Sequence, residues 1–284
     1  MKISKHQLGI VFFILIGVVP FFGALLYAVL YSFGIVGILN EGFTFLFWKS
    51  VFHSGDFVKS LGYSMSIALV SVILSVGGAL WLAINFTRNF QSRFFSFIIY
   101  LPLAIPGIVT AFFTFQLLSK GGLFSRIFHR LGWIESASGF PDLVNDTYAI
   151  GIVLAFITLV LPFFLLLFLS VYKNENIEQL SSLAKSLGAN STQVIRRIIV
   201  PILLKKTWIV IVLYFIFLLG SYEVPLILGQ EHPQMLSVLI IREIKQYDLT
   251  KISEGYAIAV MYTIMVSLAA LILFLPKKKI SHET

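Results

Sequence analysis

The sequence predicts an all-α integral membrane protein with six transmembrane helices, and three observations predict it. The 284-residue chain is 58% apolar and only 12% charged, against roughly 45–50% and about 25% in an average soluble domain. Its 28 Phe residues exceed what a soluble core of this size hides, so the excess belongs in lipid. The apolar residues also gather into six long runs. There is no Cys, which removes disulfide, thiol and cysteine-zinc chemistry.

The six runs are Leu8–Phe33, Leu61–Phe86, Phe94–Leu118, Tyr148–Tyr172, Trp208–Leu228 and Gly255–Leu275. Each has about 21 to 26 residues, enough to cross a hydrocarbon core of roughly 30 Å at 1.5 Å per residue. Backbone groups in lipid must be satisfied within the segment, so the runs are helices. The first follows Lys2 and Lys5, as a signal peptide would. It is too long for an apolar region of about 7–15 residues and lacks a small-residue cleavage site, so it is expected to be a retained helix. The second carries Ser64, Ala68, Ser71, Ser75 and Gly78 at spacings of four and three. Such a stripe lets helices approach closely, or lines a pore. The third contains Leu101-Pro102-Leu103-Ala104-Ile105-Pro106-Gly107, where Pro102 and Pro106 must bend or break the helix. The kink serves either packing or gating.

The fourth run leads into a polar stretch, considered below. The fifth holds Gly220-Ser221-Tyr222-Glu223-Val224-Pro225, and Glu223 is the only acid within the six runs. Ionisable groups in a membrane are costly and by default face a cavity or a partner. The other reading is a carboxylate already at the interface. Pro225 and Gly229 are expected to break the helix where irregular backbone lines protein or water. Glu223 there would attract a cationic solute or pair with a partner subunit.

Lysine and arginine placement sets the topology. With the N-terminus inside, one side holds Lys2, Lys5, Arg88, Arg93, Lys173, Lys185, Arg196, Arg197, Lys205, Lys206 and Lys277 to Lys279. These are 13 of the 21 basic residues, against three acids, Glu175, Glu178 and Glu283. The other side holds 8 basic residues and nine acids. The positive-inside rule then places both termini and the 173–206 loop in the cytoplasm. The net charge of +8 is a topology signal split among short loops, so no nucleic-acid partner is expected.

The 173–206 loop is the most informative polar stretch. Asn176 with Gln179, and Asn190 with Gln193, each have the spacing of a capping box. Gly188 suits the left-handed position past a helix end, and Pro201 is expected to end the second short helix. Ala184 and Gly188 are small and four apart, so another protein's surface can come close. An ordinary solvated connector is the alternative.

This loop resembles the coupling loop of ABC-importer permeases, whose pattern is E-A-A-x3-G-x9-I-x-L-P. Aligned on Gly188, the chain matches at Ala184, Gly188, Ile198 and Pro201, and Val200 replaces Leu. The pattern's Glu falls on Ser182 and its first Ala on Leu183; Glu178, one turn earlier, could stand in for that Glu. The resemblance implies a type I importer fold, with residues 1–60 as an N-terminal helix and extracytoplasmic loop. Residues 61–284 would form a five-helix core containing the coupling loop. It implies a multi-pass permease of the bacterial inner membrane with three kinds of partner: cytoplasmic ABC ATPase subunits, a second identical or paralogous permease, and an extracytoplasmic solute-binding protein. Ser182, Leu183, Ala184, Gly188, Ile198, Val200 and Pro201 would carry the ATPase contact. No G-x4-G-K-[ST] phosphate loop occurs in the chain, so ATP hydrolysis is assigned to a partner, and no cofactor or metal is expected here.

The stretch GSYEVPLILG followed by HPQMLSVLI is similar to permeases of the polyamine, iron, thiamine and sulfate group. Glu223 favours a polyamine-like cation; Glu223, Pro225, Pro102 and Pro106 are the pathway or gate candidates. An ion-gradient-driven secondary transporter is the competing class, but it predicts corresponding broken helices in two repeated halves. A metalloenzyme would need paired His, and none of His6, His53, His129, His232 and His282 is spaced as such a pair.

Overall fold

The computed structural model describes residues 5–40, 42–86 and 93–274. The basic residues Lys2, Arg88 and Lys277 to Lys279, the acid Glu283, and Leu275 at the end of the sixth run lie outside the described residues. Among the described residues there is no strand. The first run is helical from α1 (Lys5–Phe13) through a π turn (Ile14–Val18) into α2 (Val19–Ser32). After α3 (Leu46–Ser54) and the 31-residue α4 (Asp56–Phe86) come α5 (Arg93–Leu103), α6 (Gly107–Leu118) and α7 (Leu123–Arg130). Helix α8 (Ile150–Asn174) leads into α9 (Ile177–Ser186). Then α10 (Ser191–Val194), a second π turn (Ile195–Ile199) and α11 (Val200–Leu219) follow without a break. Helices α12 (Glu223–Leu228), α13 (Leu236–Ile244) and α14 (Leu249–Phe274) complete the order.

Among the described residues, six helical stretches are long and apolar enough to cross a membrane: Leu8–Ser32, Asp56–Phe86, Gly107–Arg130, Ile150–Asn174, Ser191–Leu219 and Leu249–Leu273. The third differs from the expected Phe94–Leu118, because the chain breaks there as the prolines require. Helix α5 stops one residue after Pro102, and α6 restarts behind Pro106, whose ψ of 149° is extended. Arg126, His129 and Arg130 make α7 costly to immerse. The pair α5 and α6 is therefore the crossing that keeps charge out of lipid.

Of the described residues, those up to Lys59 with those from Leu239 onward form one compact unit, and those from Ser60 to Val238 another. In the first, α14 lies against α2 and α3, with Tyr31 stacked on Tyr256 at 4.3 Å. Helix α14 starts at Leu249, six residues before the expected Gly255. Asp248 caps it, accepting the Thr250 N–H at 2.9 Å and hydroxyl at 2.6 Å. Those bonds, the hydroxyl's first, hold the Asp248 carboxyl below its usual range. Lys251 and Glu254 thereby enter the helix as an ion pair, and Ser50 donates to Glu254.

In the second unit, α5, α6, α11 and α12 all contact α8. Phe156, Phe164 and Phe168 of α8 are fully buried. The small-residue stripe of α4 is a packing surface: Ser64, Ala68, Ser71 and Ser75 are buried. A Cβ on Gly78 would stand 3.0 Å from Leu161 Cδ1, and Ser64 Oγ accepts the Leu236 N–H at 2.7 Å.

Candidate coupling loop and the paired helix breaks

The polar loop folds as two short helices. Buried Ile177 anchors α9, which contacts α8, and Lys206 pairs with Glu175 at 2.7 Å across the two ends of the loop. The expected capping box at Asn176 is absent. Asn176 has φ 49° and no side-chain cap bond; its backbone carbonyl accepts from Gln179 and Leu180 instead. Only Glu175 and Asn176 separate α8 from α9, so the turn needs a left-handed residue. Asn tolerates that conformation.

The end of α9 matches expectation. Gly188 has φ +91°, and its N–H reaches the Lys185 carbonyl while the Ala189 N–H reaches Ala184, both at 3.0 Å. Those two bonds form a Schellman cap. The second box is complete: Asn190 Oδ1 accepts the Gln193 N–H, and Gln193 Oε1 accepts the Asn190 N–H, each at 2.9 Å. Together they satisfy orphan groups at both sides of the turn.

Pro201 does not end the second helix, contrary to expectation. The Val200 N–H bonds Ile195 in a π turn, and Pro201 then sits at the second position of α11. The wider turn takes up the missing N–H and the ring that would clash with the carbonyl four residues back. The same device precedes Pro20, where the Val19 N–H bonds Ile14.

The sequence-expected contact residues fall into three groups. Ser182 is exposed, its hydroxyl donating to the Glu178 carbonyl at 3.0 Å. Leu183 is 61% exposed on α9, whereas Ala184 is half-buried. Gly188 and Ile198 meet in a depression of about 260 Å³ that also includes Leu187, Ala189, Gln193, Val194 and Arg197. Val200 and Pro201 lie farther along, on α11. The motif alignment named Leu183 but missed Leu180 and Leu187, which with it make an exposed apolar stripe at 40%, 61% and 82%. Its spacing of three and four was the available signal.

Of the gate candidates, Glu223 meets the segment just after Pro106, whereas Pro102 stays apart from it. The fifth run is not one helix: it stops at Leu219, and Gly220 to Tyr222 separate α11 from α12. The break comes before Glu223 rather than at Pro225, because Pro at the third helical position blocks no internal hydrogen bond. Helix α12 packs on α6, and Glu223 Oε2 accepts the Ile108 N–H at 3.1 Å. The carboxylate thus closes the start of α6, one residue after Pro106-Gly107, where the helix dipole favours negative charge. A Cβ on Gly107 would lie 3.3 Å from that oxygen. Pro225 is buried and Glu223 exposed. Pro102 is inside α5, short of the junction.

Comparison with known proteins agrees with this layout. Residues 75–278 match the family model described as "Binding-protein-dependent transport system inner membrane component". A stretch of 149 residues, 51% of the chain, is 28% identical to "Sulfate permease 2, chloroplastic" of Chlamydomonas reinhardtii, and spans 37% of that protein's length. Among solved structures, a bacterial ABC transporter involved in the import of the acidic polysaccharide alginate matches with TM-score 0.65 at 18% identity, over 93% of this chain and 88% of the other. A bacterial alginate ABC transporter in complex with alginate pentasaccharide-bound periplasmic protein matches with TM-score 0.67 at 18% identity, over 94% and 89%. With 204 residues of the chain covered by the family model, and the membrane helices and polar loop arranged as described, the chain belongs to the family of inner-membrane components of binding-protein-dependent transport systems, the permeases of ABC importers.

Proposed function

We propose that this permease passes a small ionic solute through the inner membrane, and that the 173–206 loop docks in a cytoplasmic ABC ATPase subunit. The doubly capped pair α9 and α10 carries the reading. The turn between them is locked by the Gly188 cap and the Asn190–Gln193 box, while Leu180, Leu183 and Leu187 stand exposed. An apolar stripe on a capped, water-facing helix fits a partner's cleft better than open solvent. ATP-driven closure of two ATPase subunits would move this loop, and α11 with it, between two discrete arrangements. A second permease chain, identical or paralogous, and an extracytoplasmic binding protein complete the assembly, with both termini cytoplasmic.

The polyamine-like cation expected from Glu223 has less support than the sequence suggested, because Glu223 Oε2 is engaged at the start of α6. The relative named as a sulfate permease favours a small oxyanion as the second reading. Co-purification of the membrane-inserted chain with an ABC ATPase and a solute-binding protein tests the assembly. Uptake of labelled spermidine and sulfate by that complex in proteoliposomes tests the solute. Uptake that persists without the ATPase and follows an imposed ion gradient would overturn the proposal in favour of a secondary transporter.

A further inference from the structure

Helix α7 sorts its residues onto three faces. Ser125 is buried against the protein, and the Phe128 ring lies 5.7 Å from buried Phe140. Leu123, Phe124 and Ile127, continued by Leu131 just past the helix, form a second face that is 39% to 57% exposed. At 100° per residue these four span about one quarter of the circumference. Arg126, His129 and Arg130 occupy the third face, all exposed. Trp133, 68% exposed, follows with its ring 4.9 Å from Phe128.

The position of α7 narrows what can cover the apolar face. Four residues separate α7 from α6, and the first and last of them, Ser119 and Gly122, are extended. Helix α8 runs from this segment to the 173–206 loop, so α7 lies at the membrane surface opposite that loop. Deep immersion would bury two guanidinium groups at a cost of several kcal/mol. Open water would leave the apolar stripe and Trp133 wet. The headgroup boundary offers apolar chains and phosphates within one helix diameter, and Trp is enriched at that depth.

We propose that α7 is an interfacial helix of the leaflet opposite the coupling loop, seated on an anionic lipid surface. Leu123, Phe124, Ile127 and Leu131 enter the acyl boundary while Arg126 and Arg130 meet lipid phosphates. The absence of native Cys permits a direct test by spin labelling. Single Cys residues placed at Phe124, Ile127, Leu131 and, as a loop control, Ser138 are labelled in the full chain in phosphatidylglycerol-containing nanodiscs. Collision with oxygen is compared with collision with a water-soluble nickel chelate. Labels at 124, 127 and 131 should favour oxygen by several-fold over the control. Arg126→Glu with Arg130→Glu should lower that preference at 127. Labels at 124, 127 and 131 shielded from both reagents would show that protein covers the stripe, and labels as open to nickel as the control would show water. Either result overturns the proposal.

Discussion

Gly188 offers the sharpest test of the coupling loop, because strain and contact can be separated there. Its φ of +91° costs a residue with a Cβ roughly 1–2 kcal/mol, and a β-branched one lies at the upper end. Apart from its two chain neighbours, no described residue has an atom within 4 Å of a Cβ built at this position, so substitution creates no clash with them. Gly188→Val is therefore expected to insert and fold, with its cap populated about 5- to 30-fold less relative to open forms. Gly188→Asn keeps the cap, since Asn tolerates left-handed backbone, yet places a side chain on the outer surface. If the ATPase contacts Gly188 directly, both variants lose ATPase co-purification and solute-stimulated hydrolysis. If the cap alone matters, only Val does. Wild-type retention and coupling by both variants would remove Gly188 from the interface and refute the coupling-loop assignment.

Glu223→Gln keeps an acceptor for Ile108 and removes the charge, so α6 should lose about 0.3–1 kcal/mol; uptake should stay within a few-fold of wild type. Glu223→Ala removes the cap as well, about 1 kcal/mol more, and should reduce both thermal stability and uptake. Abolished uptake in a fully stable Gln variant would restore the carboxylate as a solute contact. Ser182→Glu, on an exposed helical position, should leave insertion unchanged and hold the ATPase at least as well as wild type, measured by pull-down. Reporters fused after Lys206 and near Ser138 should read cytoplasmic and extracytoplasmic respectively, and exchanged signals would contradict the inside-positive topology.

The features legible in sequence were those set by local chemistry. Long apolar runs, the Pro102–Pro106 break, the left-handed Gly188 and the Asn190–Gln193 box all depend on residues a few positions apart. Asn176 misled because Asn serves both a side-chain cap and a left-handed turn, and the two-residue link from α8 to α9 chose the latter. Pro201 misled because a single wider turn lets a proline ride inside a continuous helix. The partner of Glu223 lies 115 residues away, beyond any periodicity argument. The early start of α14 rests on the Asp248 cap, and the Lys251–Glu254 pair with its cross-helix bond to Ser50 accommodates the polar residues of the first turns. The faces of α7 were readable from spacing, but a short segment with three basic residues passes for an ordinary loop.

The uninterrupted helix from Ser191 to Leu219 has a mechanical consequence. Its 29 residues make a rod of roughly 43 Å, so a tilt of about 10° about the midpoint moves each end by about 4 Å. Its one irregular point is the π turn at Ile195–Ile199 before Pro201; from Val200 the rod is regular α-helix to Leu219, and the next joint is at Gly220. Beyond that joint lies α12, which packs on α6 and is hydrogen-bonded to its first turn through the Glu223 carboxylate. If the proposed coupling holds, a push on the loop would reach α6 through this packed and hydrogen-bonded junction rather than through the loop after it.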